Sequence, residues 1–209
     1  MEQKSDLRVT KTRRLIKAAF LDLVQAKPVQ KVTVTELAKR AEISKGTFYL
    51  HYVDIYDLYN QTVKETVSKI AGSFDPYPDL FSAPESFVRT FLFSQVEPLG
   101  LSLSTGERAL LSAENIQFCS NYPQCFMDAF KEQIYQVGAL ARCEENDIKI
   151  DFLLNGMLSI IIQYRPLTVG DQRKMDFIVQ FLSVIVRDAF PEFYRTDSHP
   201  EHKDGKAEV

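Results

Sequence analysis

With 209 residues, 45% of them hydrophobic and 25% charged, the chain can bury a sizeable core as one ordinary domain or two small ones, and its composition is globular rather than disordered or fibrous. No apolar run reaches the ~20 residues of a membrane-spanning helix; the longest, 152–162, is broken by Asn155, Gly156 and Ser159, and without an apolar leader the expected location is cytoplasmic, with no membrane partner. The net charge of −3 hides an asymmetry: residues 1–71 hold 13 Lys+Arg against 8 Asp+Glu, the remainder 12 against 20, and a basic front on an acidic body fits a nucleic-acid-binding module joined to something else.

Residues 1–7 are polar and expected to fray. A first helix is predicted over 9–26, with Ile16, Ala19, Phe20, Leu23 and Val24 as its apolar stripe. Lys11, Arg13, Arg14 and Lys17 sit near its start, either as phosphate contacts or as a plain solvated face. Pro28 ends it. Residues 33–52, TVTELAKRAEISKGTFYLHY, then read as two short helices joined by a tight turn. Thr33 is a good N-cap, and Glu36, three residues on, can reach back to its N–H in a capping box. Val34, Leu37, Ala38 and Ala41 follow at helical spacing, and Ile43 can plug the gap at the turn.

Ser44 can cap a second helix running to Tyr52, with Phe48 and Tyr52 inward. Gly46, Thr47 and Leu50 face the other way, flanked by Tyr49 and His51. That outward face has a glycine for close approach, a hydroxyl, a phenol and an imidazole, and no acid. It suits a DNA major groove. The candidate DNA-binding residues are Thr33, Ser44, Lys45, Gly46, Thr47, Tyr49, Leu50 and His51. The competing reading is a helical hairpin inside some other all-α protein.

The wider stretch from 8 to about 60 narrows the choice. The run Thr12-Arg13-Arg14-Leu15-Ile16-Lys17-Ala18-Ala19-Phe20, then Tyr49-Leu50-His51-Tyr52, Asp54 and Leu58, resembles the DNA-binding segment of the TetR family of bacterial helix-turn-helix transcriptional regulators. Glu42 stands where that family usually has a glycine, and Val53 and Ile55 stand where it often carries lysines. These departures leave the fold reading intact and bear on one phosphate contact usual in that family. It implies an effector pocket in the C-terminal half and a fourth helix that moves with the ligand.

Asp54 is the expected N-cap of that fourth helix, which runs to about residue 71 with Ile55, Tyr59, Val63, Val67 and Ile70 on one face. Gly72, Ser73, Pro76 and Pro78 end it. A helix from Pro84 to near Pro98 turns Phe87, Val88, Phe91 and Leu92 inward, and 99–105 is a loop. Further helices are predicted from Gly106-Glu107 to about 122, over 124–143 with Phe126, Met127, Phe130, Ile134 and Val137 inward, and over 146–165 and 171–190, separated by Pro166. The tail, 195–209, is expected to be disordered. No stretch reads as a strand. The predicted fold is all-α: a three-helix helix-turn-helix module (1–55), a connecting fourth helix (about 54–71), and a helical ligand-binding and dimerisation domain (74–190).

The last two helices are apolar nearly all round, although a surface helix needs only one apolar face. The second face calls for a partner, and helix-turn-helix readers commonly bind two half-sites as two-fold dimers. Met157, Ile161, Phe177, Phe181, Val184 and Ile185 are the candidate interface of a homodimer, with Gly156 and Ser159 allowing close crossing. The alternative is two central helices of a monomeric bundle.

Catalytic and metal chemistry find no support in the motifs. His51, His199 and His202 have no zinc spacing on an ordered element, and no nucleophile elbow, phosphate loop or dinucleotide fingerprint is present. No enzyme activity, catalytic residue, metal or cofactor is expected. Phe87, Phe91, Phe118, Phe126 and Phe130, with Asn155 and Gln163, could line an apolar effector pocket, though ordinary core packing is the competing reading for each. Cys119 and Cys125 are a rival redox sensor if exposed, or inert if buried; Cys143 has no pairing motif. The expected function is sequence-specific binding of a double-stranded operator, with repression relieved by a small apolar or amphipathic effector of unknown identity. One alternative is a regulator controlled by a protein partner at its C-terminal domain. Another is a helical scaffold or enzyme that a DNA-binding assay would expose.

Overall fold

The computed structural model describes residues 2–94, 103–119, 121–138, 140–168 and 171–194, apart from the side chains of residues 2–6, 93–94, 161–162 and 165–168. Among these, every regular element is helical. The head comprises α1 (Glu2–Ala26), a 3-10 turn (Val29–Lys31), α2 (Val34–Arg40) and α3 (Lys45–Tyr49). The long α4 (Ile55–Gly72) leads into α5 (Asp79–Ser82), α6 (Pro84–Ser94), α7 (Thr105–Leu110), α8 (Ala113–Ile116), α9 (Tyr122–Gln136), α10 (Glu144–Thr168) and α11 (Gln172–Ala189).

Several boundaries differ from the sequence expectation, each for a physical reason. α1 begins at Glu2 rather than near Val9, because 2–8 contains helix formers and neither glycine nor proline. α3 stops at Tyr49 rather than Tyr52: Val53 N–H turns to the Asp57 carboxylate and Asp54 caps α4 through Asp57 N–H at 2.8 Å. An extra short helix, α5, follows the Pro76–Pro78 stretch, with Pro78 as its N-cap. The single helix expected from Gly106 to about 122 is two short ones, broken where Ser112 adopts an extended backbone. α9 ends at Gln136, two residues ahead of Gly138 with its φ of 73°, a conformation glycine adopts without steric cost. Val137, expected inward, is exposed. α10 runs to Thr168 and takes Pro166 into its last turn. The tail 195–209 lies outside the described residues.

α4 is the spine of the molecule. Leu58, Tyr59, Val63 and Val67 are buried along it, and its main partner is α9. The body core is aromatic: Phe130 of α9 stacks on Phe126 at 4.5 Å between ring centroids and meets Phe91 edge-on at 5.2 Å, and Phe74 closes on Phe87 at 5.6 Å. α6 packs on α11 with Arg89 paired to Asp176 at 2.8 Å and Glu85 paired to Arg187. Head and body meet where α1 lies on α7. There a Cβ on Gly106 would fall 2.7 Å from the Leu21 carbonyl oxygen, so the crossing requires glycine.

Candidate nucleic-acid interface

The turn between α2 and α3 is built from backbone hydrogen bonds. Ile43 N–H donates to the Ala38 carbonyl at 3.0 Å and Glu42 N–H to Lys39 at 3.3 Å, the paired bonds of a Schellman cap. That cap needs a left-handed residue between them, and Glu42 supplies it at φ 54°. A glycine would hold this shape without the roughly 1–2 kcal/mol steric cost that a side chain brings. Thr33 accepts Glu36 N–H at 3.3 Å as expected. The Glu36 carboxylate is held by Lys27 instead of returning to Thr33, so the hydroxyl half of the capping box is the one that forms.

Ser44 fixes the start of α3. Its Oγ accepts Thr47 N–H at 3.0 Å and lies 2.9 Å from Thr47 Oγ1. Phe48 and Tyr52 are buried against the head core with ring centroids 5.7 Å apart. The opposite side is open: Leu50 is 82% exposed, Tyr49 is 58% exposed, and Thr33, Ser44, Lys45 and Gly46 are exposed beside the half-buried Thr47 and His51. Burial and then the nearby Arg13 charge hold the His51 imidazole below its ordinary 6.5, so it is neutral at neutral pH. All eight candidate residues are thus exposed or half-buried, and none of them is an acid. Val53, also exposed, extends this surface where a cation was expected.

The surrounding cations divide into two groups. Lys17 is paired with Glu65 of α4 and Arg40 with Asp22 at 3.1 Å, so these two hold the head together. Lys17, expected among the phosphate contacts, is thus engaged within the fold. Arg13 sits 5.8 Å from the centre of the Tyr52 ring. Lys11, Arg14, Lys39 and Lys45 are exposed with no carboxylate partner among the described residues. They could meet a polyanion without breaking anything inside the fold.

Sequence reasoning missed the joint behind this surface. Asn115, 3% exposed, accepts Val29 N–H on Oδ1 at 2.9 Å, donates from Nδ2 to the Ala109 carbonyl at 2.8 Å, and its own carbonyl accepts the Tyr59 hydroxyl at 2.8 Å. One buried asparagine therefore joins the head, α4 and α7. The available signal was a lone asparagine amid the apolar residues around 109–118. Lys69 of α4 adds a second tie to Glu107 of α7 at 3.1 Å.

The body residues expected to bind an effector do not all come together. Phe87, Phe91, Phe126 and Phe130 share the aromatic core. Phe118, Asn155 and Gln163 are exposed: Asn155 and Gln163 lie on the outer face of α10, and Asn155 donates to the Asp151 carbonyl of its own helix. A helix that is apolar nearly all round carries no periodic signal to set which face turns inward. A cavity of about 10 Å³ lies beside Phe87, lined by Leu80, Ile134, Ile150, Leu154 and Met157, room for one water at most.

The expected dimer residues divide similarly. Met157 is buried within its own chain, Ile185 is half-buried, and the Ile161 side chain lies outside the described residues. Phe177 (68% exposed), Phe181 (50%) and Val184 form an open apolar face on α11, the two phenylalanine rings near-parallel with centroids 6.2 Å apart. Phe152, 67% exposed, lies on α10. Cys119 is buried, and burial pushes its thiol up from the ordinary value; Cys125 is half-buried and also raised, chiefly by burial. Neither has the thiolate character a redox sensor needs.

Residues 13–62, which contain all of α2 and α3, match the family model described as bacterial regulatory proteins, tetR family. Over 88 residues the chain is 29% identical to the uncharacterized HTH-type transcriptional regulator YxbF of Bacillus subtilis (strain 168); the match covers 41% of this chain, and the chain spans 23% of that relative's length. Among solved structures it is similar to a TetR transcriptional regulator from Rhodococcus sp. RHA1, at 14% identity over 88% of this chain and 96% of that one, with a TM-score of 0.43. It is also similar to NalD, the secondary repressor of the MexAB-OprM multidrug efflux pump in Pseudomonas aeruginosa, at 17% identity over 89% and 96%, with a TM-score of 0.42.

Proposed function

We propose that this chain, whose residues 13–62 match the tetR family of bacterial regulatory proteins, is a DNA-binding transcriptional regulator that acts as a homodimeric repressor released by a small apolar or amphipathic molecule. The observation that carries the DNA-reading part is the open side of α3, where exposed Tyr49 and Leu50 and half-buried Thr47 lie beside Lys45, which has no carboxylate partner among the described residues. On this reading those residues meet base edges, while Lys11, Arg14, Lys39 and Lys45 meet phosphates. Two heads are needed to span two half-sites, and the apolar face of Phe177, Phe181 and Val184 supports a two-fold pairing through α10 and α11.

The regulatory part rests on the joint at Asn115. An effector that separates α6 from α10 at the small cavity would strain the aromatic core between α6, α9 and α4. Through Tyr59 and Asn115 it would shift the head. Such a ligand must bind the DNA-free form better by the same free energy with which it weakens DNA binding, typically about 1–3 kcal/mol. The second reading is control by a protein partner; the cavity beside Phe87, which holds no more than a water, favours it over an effector at that spot. The test is enrichment of binding sites from random duplexes, followed by titration of the bound complex with small apolar compounds. Failure to enrich any sequence would refute DNA reading. Enrichment with no compound weakening the complex would leave the protein-partner reading in place.

A further inference from the structure

α3 contains a glycine that its own fold does not require. Gly46 is exposed, and the described non-helical glycine, Gly138, is the one with a positive φ. A Cβ built on Gly46 would meet nothing closer than Ser44 Oγ at 3.6 Å, an ordinary contact. Alanine would fit and would favour the helix. The side chain four residues on, which shares that face, is Leu50, the most exposed of the large apolar residues at 82%. The hydroxyl between them, on Thr47, is already engaged with Ser44 at 2.9 Å. The outcome is an open spot at Gly46, with an exposed aliphatic side chain one turn on and, beside it, the Ser44 hydroxyl already bonded to Thr47.

Resting on the reading of α3 as the DNA-facing helix, we propose that Gly46 and Leu50 form a seat for the C5-methyl group of a thymine. The chemistry selects the ligand. Among the four bases, the major-groove edge of thymine alone presents an apolar group. A spot without a Cβ lets that methyl approach the helix, and Leu50 covers its outer side. A bare sugar or phosphate would gain nothing from an 82% exposed leucine, whereas a buried methyl gains close to the transfer free energy of one apolar carbon. This makes Gly46 and Leu50 specificity residues of the half-site, distinct from the polar groups of Thr47 and Tyr49.

The test uses the full chain. Duplexes are first enriched from a random pool at fixed salt, since affinities shift steeply with ionic strength. Each thymine of the enriched half-site is then replaced in turn by deoxyuridine, which removes only the methyl. At one thymine per half-site, affinity should fall about fourfold, the factor that one buried methyl carries. Leu50→Ala should bind the thymine and deoxyuridine duplexes equally. Gly46→Ala should bind the enriched duplex several-fold more weakly with a melting temperature no lower than that of the wild type. Equal binding of thymine and deoxyuridine at every position, or a full methyl effect retained in Leu50→Ala, would overturn the proposal while leaving DNA reading by α3 intact. An unenriched pool would overturn the reading of α3 itself and this proposal with it.

Discussion

The Val29 amide donates to Asn115 Oδ1 at 2.9 Å across 86 residues of sequence. This bond ties the head directly to the body. Removing the Asn115 side chain leaves the Val29 N–H without its acceptor and takes away one of the donors to the Ala109 carbonyl, while the Tyr59 hydroxyl keeps the backbone carbonyl of residue 115. Asn115→Leu should lower stability by about 1–3 kcal/mol, the cost of one unsatisfied buried group. Tyr59→Phe loses a single donor and should cost about 1 kcal/mol. Urea unfolding of the two variants and their double mutant checks this; strict additivity would argue against a shared network.

Loss of side chains on the open face of α3 should weaken specific binding and leave folding alone. Thr47→Ala keeps the Ser44 cap to its backbone N–H, and Tyr49→Ala removes an exposed ring. Each should reduce discrimination by about 1–3 kcal/mol if it removes a good base contact. Lys45→Ala and Arg14→Ala should instead weaken all sequences alike, and each should make the salt slope shallower by about one for the phosphate it no longer neutralises. Wild-type operator affinity in both Thr47→Ala and Tyr49→Ala, read by anisotropy, would show that α3 is not the reading helix.

The apolar face of α11 separates assembly from folding. Phe177→Glu and Phe181→Glu place a charge on side chains already exposed within one protomer, so the monomer should fold. Its dimer should dissociate, because a buried unpaired charge costs several kcal/mol. Met157→Lys, by contrast, should unfold the chain, since Met157 is fully buried. Sedimentation of the wild type as a monomer at micromolar concentration would remove the basis for this pairing.

Acid should loosen α7 from α4. Burial alone would raise the Glu107 carboxyl, but the Ser104 backbone N–H, then Lys69 and the Ser104 hydroxyl, outweigh it and hold it below the ordinary 4.5. A carboxyl lowered in the folded state adds stability that is present above 4.5 and is lost as pH falls through its folded value. Glu107→Gln should therefore be less stable than the wild type at neutral pH, and the two should converge on acidification. Parallel melting curves from pH 7 to pH 3 would contradict the assignment.

Much of the head was legible because its apolar positions recur at a fixed spacing and its turns are capped by Thr33, Ser44 and Asp54. Local signals of that kind fix a short helix and its inward face together. The body was less legible wherever the deciding partner is distant. At residue 112 the local signal is a lone serine, a residue type that caps helices, while the contacts that hold the segment are distant: the Asn115 side chain meets Val29 and its carbonyl meets the Tyr59 hydroxyl. Along α10 nearly every position is apolar, so periodicity could not tell the buried Met157 from the exposed Phe152, and Asn155, expected to face a pocket, points to solvent. The side chain of Glu36 was assigned to Thr33 because they are close in sequence, although Lys27 competes for it in space.

The crossing of α1 over α7 has a mechanical consequence. At Gly106 a hydrogen faces the Leu21 carbonyl where any other residue would put a carbon at 2.7 Å. Repulsion at that range rises far faster than any attraction across the joint. The crossing therefore behaves as a fulcrum: the two units can pivot or part there, but they cannot close further. Any displacement of α7 toward α1 meets backbone at once rather than a soft layer of side chains. The stand-off between the two units is set by the width of one missing methyl group.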